Sequence, residues 1–234
     1  MGPHTQYTDA WSSSTVRFSD LPSGPMSGHA RTFLVRHGEV HNPDGIVYAD
    51  LDGFALSDLG RAQAAAAASR LPSGSTLVAS PLERAVETAE IIAAELGSVV
   101  TIDENLTEWH LGRRWAGQVW DSLDEQFPGE LTAYLEHPSE LPFSPESLDA
   151  LAHRTAEAVR NHREVSDGPL VIISHQDPIQ AARLALTGRP LFDLQLDKPG
   201  HAAVITLEAR RSGPWVEREV WTPDQGVLFP PIEP

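Results

Sequence analysis

The chain reads as an α/β protein: a three-layer α/β/α sandwich on a mostly parallel sheet. Three observations lead to that class. Short apolar runs alternate with longer segments of helical spacing. One run, Leu170–Ile173 (LVII), is continuously apolar, as in strands covered on both faces of a parallel sheet. No repeat or internal linker divides the 234 residues, a length that buries a full core in one domain.

The elements follow in order. Residues 1–28 are rich in Ser, Gly, Pro and Thr without sustained periodicity, and are expected to form a flexible leader. They lack the basic start and apolar centre of a secretory signal. Residues 29–222 are expected to be the domain, and 223–234 a Pro-rich tail. Arg31–Arg36 (RTFLVR) is a short strand that feeds a His-Gly pair. Ser57 caps a helix over Asp58–Arg70 that Pro72 stops. Thr76–Ala79 is a second strand, followed by a helix over Pro81–Leu96 capped by Ser80 and ended by Gly97. Val99–Ile102 is a third strand, and Asn105–Gly117 an ordered loop with two Trp and two Arg.

Further helices are expected over Val119–Phe127 and Glu130–Glu136. Ser144–Val165 is the clearest amphipathic helix, with Leu148, Leu151, Thr155, Ala158, Val159 and His162 on one face and Ser144 or Ser147 as cap. Leu170–Ile173 then leads into a helix over Pro178–Leu186. Ala202–Glu208 and Trp215–Trp221 alternate in polarity and read as a closing antiparallel pair.

Composition excludes several classes of function. A formal net charge of −16 opposes binding to nucleic acid or an anionic membrane, either of which demands a basic surface. Zero cysteines rule out disulfides and thiolate metal sites. No apolar run reaches the roughly 20 residues of a spanning helix, and a cytoplasmic location is expected. Oligomeric state is left open.

The chemistry lies at strand ends. His37 follows the first strand and His175 the run VIIS, and an open α/β sheet binds its ligands at the carboxyl ends of its strands. Arg36 adjoins His37, Gly38 lets backbone N–H groups approach an anion, and Arg84 sits one turn inside a helix N-terminus. Dispersed negative charge, as on a transferring phosphoryl group, suits such a pocket, and a neutral imidazole is a competent nucleophile near pH 7. A zinc site of His37, His41 and His175 lacks a complete ligand set.

These residues lie in four ordered segments: Arg36-His37-Gly38-Glu39, Leu56–Ala64, Ser80–Ala85 with Thr88-Ala89, and Ser174-His175 with Pro178-Ile179. In that order they resemble the histidine phosphatase superfamily, in the branch that includes cofactor-dependent phosphoglycerate mutase. The resemblance implies a phosphoglycerate mutase-like fold and hydrolysis of a small-molecule phosphomonoester without metal or other cofactor. It makes His37 the residue that becomes phosphohistidine, with Arg36, Arg84 and His175 around the phosphate. Asn42 stands near the family's phosphate-contacting Asn, one residue short in spacing. Glu108, in Asn105-Leu106-Thr107-Glu108, matches the proton donor, and Trp109 beside it is expected to raise its pKa by desolvation.

The chain also departs from the family. Val40 replaces a common hydroxyl residue, and Gln176-Asp177 replaces the Gly after the second His. Gln176 is therefore a phosphate-pocket candidate and Asp177 a second candidate acid. His41, Tyr48, Trp109, His110 and Arg113 flank the catalytic loops and are candidates for the substrate rim. Two alternatives stay open at this point: a phosphoglycerate-type mutase, and a non-catalytic phospho-ligand-binding member of the fold.

Overall fold

The computed structural model describes residues 31–210 and 212–223. The expected leader, 1–28, and all of the expected tail beyond residue 223 lie outside the described residues. Six strands form one sheet: β1 (Arg31–Arg36), β2 (Thr76–Ala79), β3 (Val100–Ile102), β4 (Leu170–Ser174), β5 (Val204–Glu208) and β6 (Val216–Trp221), in the order β3-β2-β4-β1-β5-β6. The first four run parallel, and β5 and β6 close the sheet antiparallel. This is the expected mostly parallel sheet with its antiparallel edge.

Strand periodicity explains the three layers. Phe33 and Val35 of β1, with Leu77, Ala79, Val171 and Ile173, face helices α1 (Asp58–Ala68) and α2 (Glu83–Leu96). Leu34, Val78, Ile172 and Ile205 face the opposite layer, α6 (Leu148–Val165) and α7 (Gln176–Thr187). All of these strand residues are buried, so both faces exclude water. Between β3 and β4 a 3-10 turn (Glu104–Leu106) and short helices α3 (Gly112–Trp115), α4 (Leu123–Gln126) and α5 (Glu130–Glu136) form a cap on α6 and α7. Its own core joins Trp109, Trp115, Leu123 and Tyr134 to Leu148 and Leu151.

Several boundaries differ from the expectation, each for a local reason. Helix α2 begins at Glu83 with Leu82 as an uncapped first residue, because the Ser80 hydroxyl is engaged elsewhere. Helix α6 begins at Leu148: Ser147 accepts from the Ala150 N–H, whereas Ser144 spends its hydroxyl on the Glu146 backbone. Helix α7 begins at Gln176, two residues early, with Pro178 in its first turn, where an N–H has no helical acceptor and its loss is free. The helix expected over Val119–Phe127 is a 3-10 turn (Trp120–Ser122) that runs into α4. Inside the expected 105–117 loop lies α3.

Two glycines set how closely α1 meets the loop after β1. Ser57 caps α1 by accepting from the Gly60 N–H, and the Ser57 N–H itself donates to the Glu39 carbonyl at 2.9 Å. Gln63 of α1 accepts from the Glu39 N–H at 2.9 Å. A Cβ on Gly60 would stand 2.0 Å from the Glu39 carbonyl oxygen, and one on Gly38 would stand 2.3 Å from that of Gly60. Both obstacles are backbone, which cannot swing aside. Gly60→Ala is therefore expected to destabilise the chain by about 1–3 kcal/mol, as overpacking does. At ~2–4 °C per kcal/mol for a domain of this size, calorimetry would read the loss as a lower Tm. An unchanged Tm would contradict the close approach.

Candidate active site

The site is built where β1 and β4 end side by side. Arg36 is in register with Ser174, so the next residues of the two strands, His37 and His175, emerge together at the carboxyl edge. Their rings lie 5.2 Å apart between centroids, and both residues are buried. The His37 backbone is pinned on two sides: its N–H donates to the Ser174 carbonyl at 2.9 Å, and its carbonyl accepts from the Ala202 N–H at 3.1 Å.

Ring contacts assign the tautomers. Nδ1 of His37 lies 2.7 Å from the Gly38 carbonyl oxygen, which only accepts, so the ring proton is on Nδ1. The lone pair is thereby on Nε2, and the Arg84 Nε–H points at it from 3.3 Å. His175 places Nε2 2.7 Å from the Ser80 hydroxyl. That hydroxyl also accepts from the Leu82 N–H at 3.4 Å, and Nε2 is the one acceptor its own proton finds among the described residues, so it donates to Nε2. The His175 ring proton is then on Nδ1, a buried atom without a hydrogen-bond partner among the described residues. Burial pushes both imidazoles well below their ordinary pKa, and Arg84 pushes them further, so both are neutral at pH 7.

Two guanidinium groups frame the imidazoles. Arg84, buried in the first turn of α2, donates from one terminal nitrogen to the Ala49 carbonyl at 2.6 Å and lies over the Tyr48 ring at 4.7 Å. Ala49 adopts a left-handed φ of 42°, a strained choice for alanine that aims its carbonyl at Arg84. Gly112 is required beside it, because a Cβ there would come within 2.9 Å of the Ala49 Cβ. Arg36 donates to the Pro199 carbonyl and the His201 Nε2, each at 3.0 Å. Its Nε is buried with no partner among the described residues. Burial lowers the pKa of both arginines, which nonetheless stay charged.

Glu108 follows the 3-10 turn at the end of β3. Burial, then the nearby charge of Asp177, raise its pKa to about 7, against the opposing pull of Arg84. The Trp109 backbone N–H donates to its carboxylate at 2.8 Å and works the other way. Asp177 makes an ion pair with Lys198 at 2.5 Å and accepts from the Tyr134 hydroxyl at 3.0 Å.

Other candidates take different places. Asn42 turns its amide to the Ile46 backbone, with Nδ2 2.9 Å from the carbonyl, and closes its own loop. The Gln176 side chain donates to the Pro199 carbonyl at 3.1 Å, the oxygen that also receives Arg36. Trp109 is a core residue that donates from its indole to the Glu146 carbonyl, and so does not belong to the rim. His110 sits against Glu146, and Arg113 is ion-paired with Asp50 at 2.6 Å. His41 is exposed, and Tyr48 carries Arg84 on its ring while stacking on Phe54. Val40 is buried in a bridge with Leu56, which accounts for an apolar residue there.

Thr88 and His201 also meet the site. Thr88 of α2 accepts from the Gly38 N–H at 3.1 Å and donates to the Arg84 carbonyl one turn back in the same helix, tying the loop after β1 to α2. His201 stands 5.8 Å from the His37 ring, and burial, then Arg36, lower its pKa to about 4. Among the described residues, no three His, Asp or Glu side chains are grouped to hold a metal ion, and no helix is long and apolar enough to cross a membrane.

Comparison with known proteins agrees with this geometry. A sequence profile for the histidine phosphatase superfamily (branch 1) matches residues 32–222. An uncharacterised protein of Mycobacterium tuberculosis is 38% identical over 182 residues, 71% of this chain and 83% of the relative. The glucosyl-3-phosphoglycerate phosphatase of Mycolicibacterium vanbaalenii is 35% identical over 174 residues, 69% of this chain and 76% of the relative. The solved structure of a mycobacterial glucosyl-3-phosphoglycerate phosphatase with VO3 superposes with a TM-score of 0.72 at 32% identity, covering 83% of this chain and 100% of that one.

The His175 tautomer can be read directly. Long-range proton–nitrogen NMR at pH 7 should find the ring neutral with its proton on Nδ1. Ser80→Ala should remove that preference and cost about 1–3 kcal/mol by stranding a buried acceptor. A proton on Nε2 in the wild type would overturn the assignment.

Proposed function

The chain belongs to branch 1 of the histidine phosphatase superfamily and is a phosphomonoester hydrolase, and we propose that it works through a phosphohistidine on Nε2 of His37. The observation that carries this reading is the neutral His37 ring, its proton held by the Gly38 carbonyl and its lone pair turned toward Arg84. Arg36, Arg84 and the Nδ1–H of His175 bind the phosphate oxygens, helped by the N-terminus of α7. Nε2 attacks phosphorus as the bond to the leaving oxygen breaks, and protonated Glu108 gives that oxygen its proton. The free alcohol departs. Glu108, now a carboxylate, takes a proton from water while the water oxygen attacks phosphorus and the N–P bond breaks. Inorganic phosphate leaves, and both residues return to their starting states.

Glu108 is the acid in this scheme because it meets no cation in an ion pair among the described residues and burial holds its proton up to about pH 7. Asp177, paired with Lys198, serves as a fixed negative charge behind it. The substrate is a small phosphorylated metabolite, and the names of the relatives put glucosyl-3-phosphoglycerate first in a test panel. The same reading places the chain in the cytoplasm, where charged phosphorylated metabolites reside.

For an alkyl phosphate, kcat/KM should be sustained below pH 7 and fall as pH rises through about 7, as Glu108 loses its proton. A rate that rises through that range would refute the acid. Glu108→Gln should slow alkyl phosphates by about 10²–10⁴-fold and p-nitrophenyl phosphate far less, since a good leaving group needs little protonation. Equal losses on both would contradict the role. Acid-labile, base-stable phosphate should appear on the wild type in a rapid quench and vanish in His37→Ala, and excess chelator should leave turnover intact. Phosphate retained by His37→Ala would move the nucleophile elsewhere.

A further inference from the structure

Glu108 has to hold its carboxyl group at the leaving oxygen, yet the hydrogen bond it receives comes from the next residue in its own segment, the Trp109 N–H. Its position therefore depends on its backbone, and that backbone is gripped from α6. Arg154 donates to the carbonyls of Asn105 at 2.8 Å, Thr107 at 2.9 Å and Glu108 itself at 3.1 Å. Its two remaining donors fork onto Glu146, at 2.6 and 3.1 Å. All five N–H groups of the guanidinium are thus engaged.

Glu146 completes the grip from the other side. Its carboxylate accepts from the His110 N–H at 3.1 Å, and its backbone carbonyl accepts from the Trp109 indole at 2.9 Å. Burial would raise the Glu146 pKa, but its bonds from Arg154 and the His110 N–H outweigh that and hold it below the ordinary range. The pair is largely shielded, with 16% of the Arg154 and 9% of the Glu146 side chain exposed. A lysine supplies three donors from a single point and cannot reach three carbonyls and a carboxylate together.

We propose that Arg154, anchored by Glu146, is the positioning residue of the general acid: it holds the 105–110 segment so that the Glu108 carboxyl meets the leaving oxygen. It touches neither phosphate nor nucleophile, so it acts on protonation of the leaving group and not on phosphate capture. This rests on the reading of Glu108 as the acid.

Arg154→Lys tests it against two substrates and an inhibitor. A small misplacement of a catalytic group is worth up to about a hundredfold. Turnover of an alkyl phosphate should accordingly drop by about ten- to a hundredfold, while p-nitrophenyl phosphate turnover and vanadate inhibition stay within about threefold of the wild type. In a Glu108→Gln background the same change should add little, because the group it positions is already gone. Glu146→Gln should reproduce the pattern more weakly, and it serves as the test if Arg154→Lys fails to fold. Equal losses on both substrates with weakened vanadate inhibition, or full additivity with Glu108→Gln, would overturn the proposal. If Glu108→Gln lacks the leaving-group signature, the acid assignment falls and this one with it. If only Glu108→Gln shows the signature, the positioning role alone is wrong.

Discussion

The hydrogen bond from Nδ1 of His37 to the Gly38 carbonyl is the contact on which the site turns. A free imidazole exchanges its proton between two nitrogens, and only one tautomer leaves a lone pair facing the pocket. The carbonyl selects that tautomer, and the loop must bend sharply for a residue's ring to meet the carbonyl of the next. That bend is secured by the Gly38 N–H on Thr88, the Glu39 N–H on Gln63 and the side-chain-free approach of Gly60. The motif around Ser57–Gly60 therefore contributes to chemistry without touching the reacting atoms. It shapes the loop that orients the ring.

A second constraint is topological. β4 lies between β2 and β1, so His175 emerges beside His37, and the β2 end delivers Ser80 and Arg84. A sheet ordered by sequence would have separated these groups. The antiparallel return of β5 then brings the 196–203 segment across the site, where the Pro199 carbonyl receives Arg36 and Gln176 and His201 receives Arg36. Arg183 of α7 holds that segment in turn, donating to the Asp197 carbonyl at 2.8 Å, at a residue with a left-handed φ of 53°.

Much of this was legible in the sequence, and what was not has physical reasons. Strand-end placement of His37 and His175 follows from apolar runs that stop at a histidine, and Arg84 from its place one turn into a helix. Ser80 reads as a cap because a Ser-Pro step before a helix carries that local signal whether or not the hydroxyl also serves a ring nitrogen 95 residues away, which here it meets at 2.7 Å against 3.4 Å for the Leu82 N–H. Trp109 beside Glu108 suggested desolvation by the indole. Burial does raise the Glu108 pKa as expected, while the indole packs into the cap core and the Trp109 backbone N–H works the other way. Asn42 and Val40 show a related limit: the sequence names the residue type, while the partner, the Ile46 backbone for one and Leu56 for the other, is set by how the loop after β1 folds. His201, just ahead of a strand, is legible only as a residue that could approach the site, since its contact depends on an antiparallel return that brings it to Arg36.

The electrostatics of the site resolve an apparent conflict with the net charge of −16. An acidic chain repels anions at long range, but screening confines that field to about 8–10 Å at physiological ionic strength. Within the pocket the charges that count are those of the half-buried Arg36 and the buried Arg84. They act twice. In the free enzyme they oppose protonation of His37, preserving its lone pair; burial, Arg84 and Arg36 all push its pKa down. In the proposed mechanism the same guanidiniums then meet, in the phosphate, the negative charge they lacked. Glu108 experiences the opposite balance, with burial and Asp177 outweighing Arg84 and Arg36. One shared pocket thus keeps a base unprotonated and an acid protonated near neutral pH. Burial, the largest cause at both, favours the neutral form of each, an unprotonated imidazole and a protonated carboxyl; the arginines reinforce it at His37, and Asp177 works against them at Glu108.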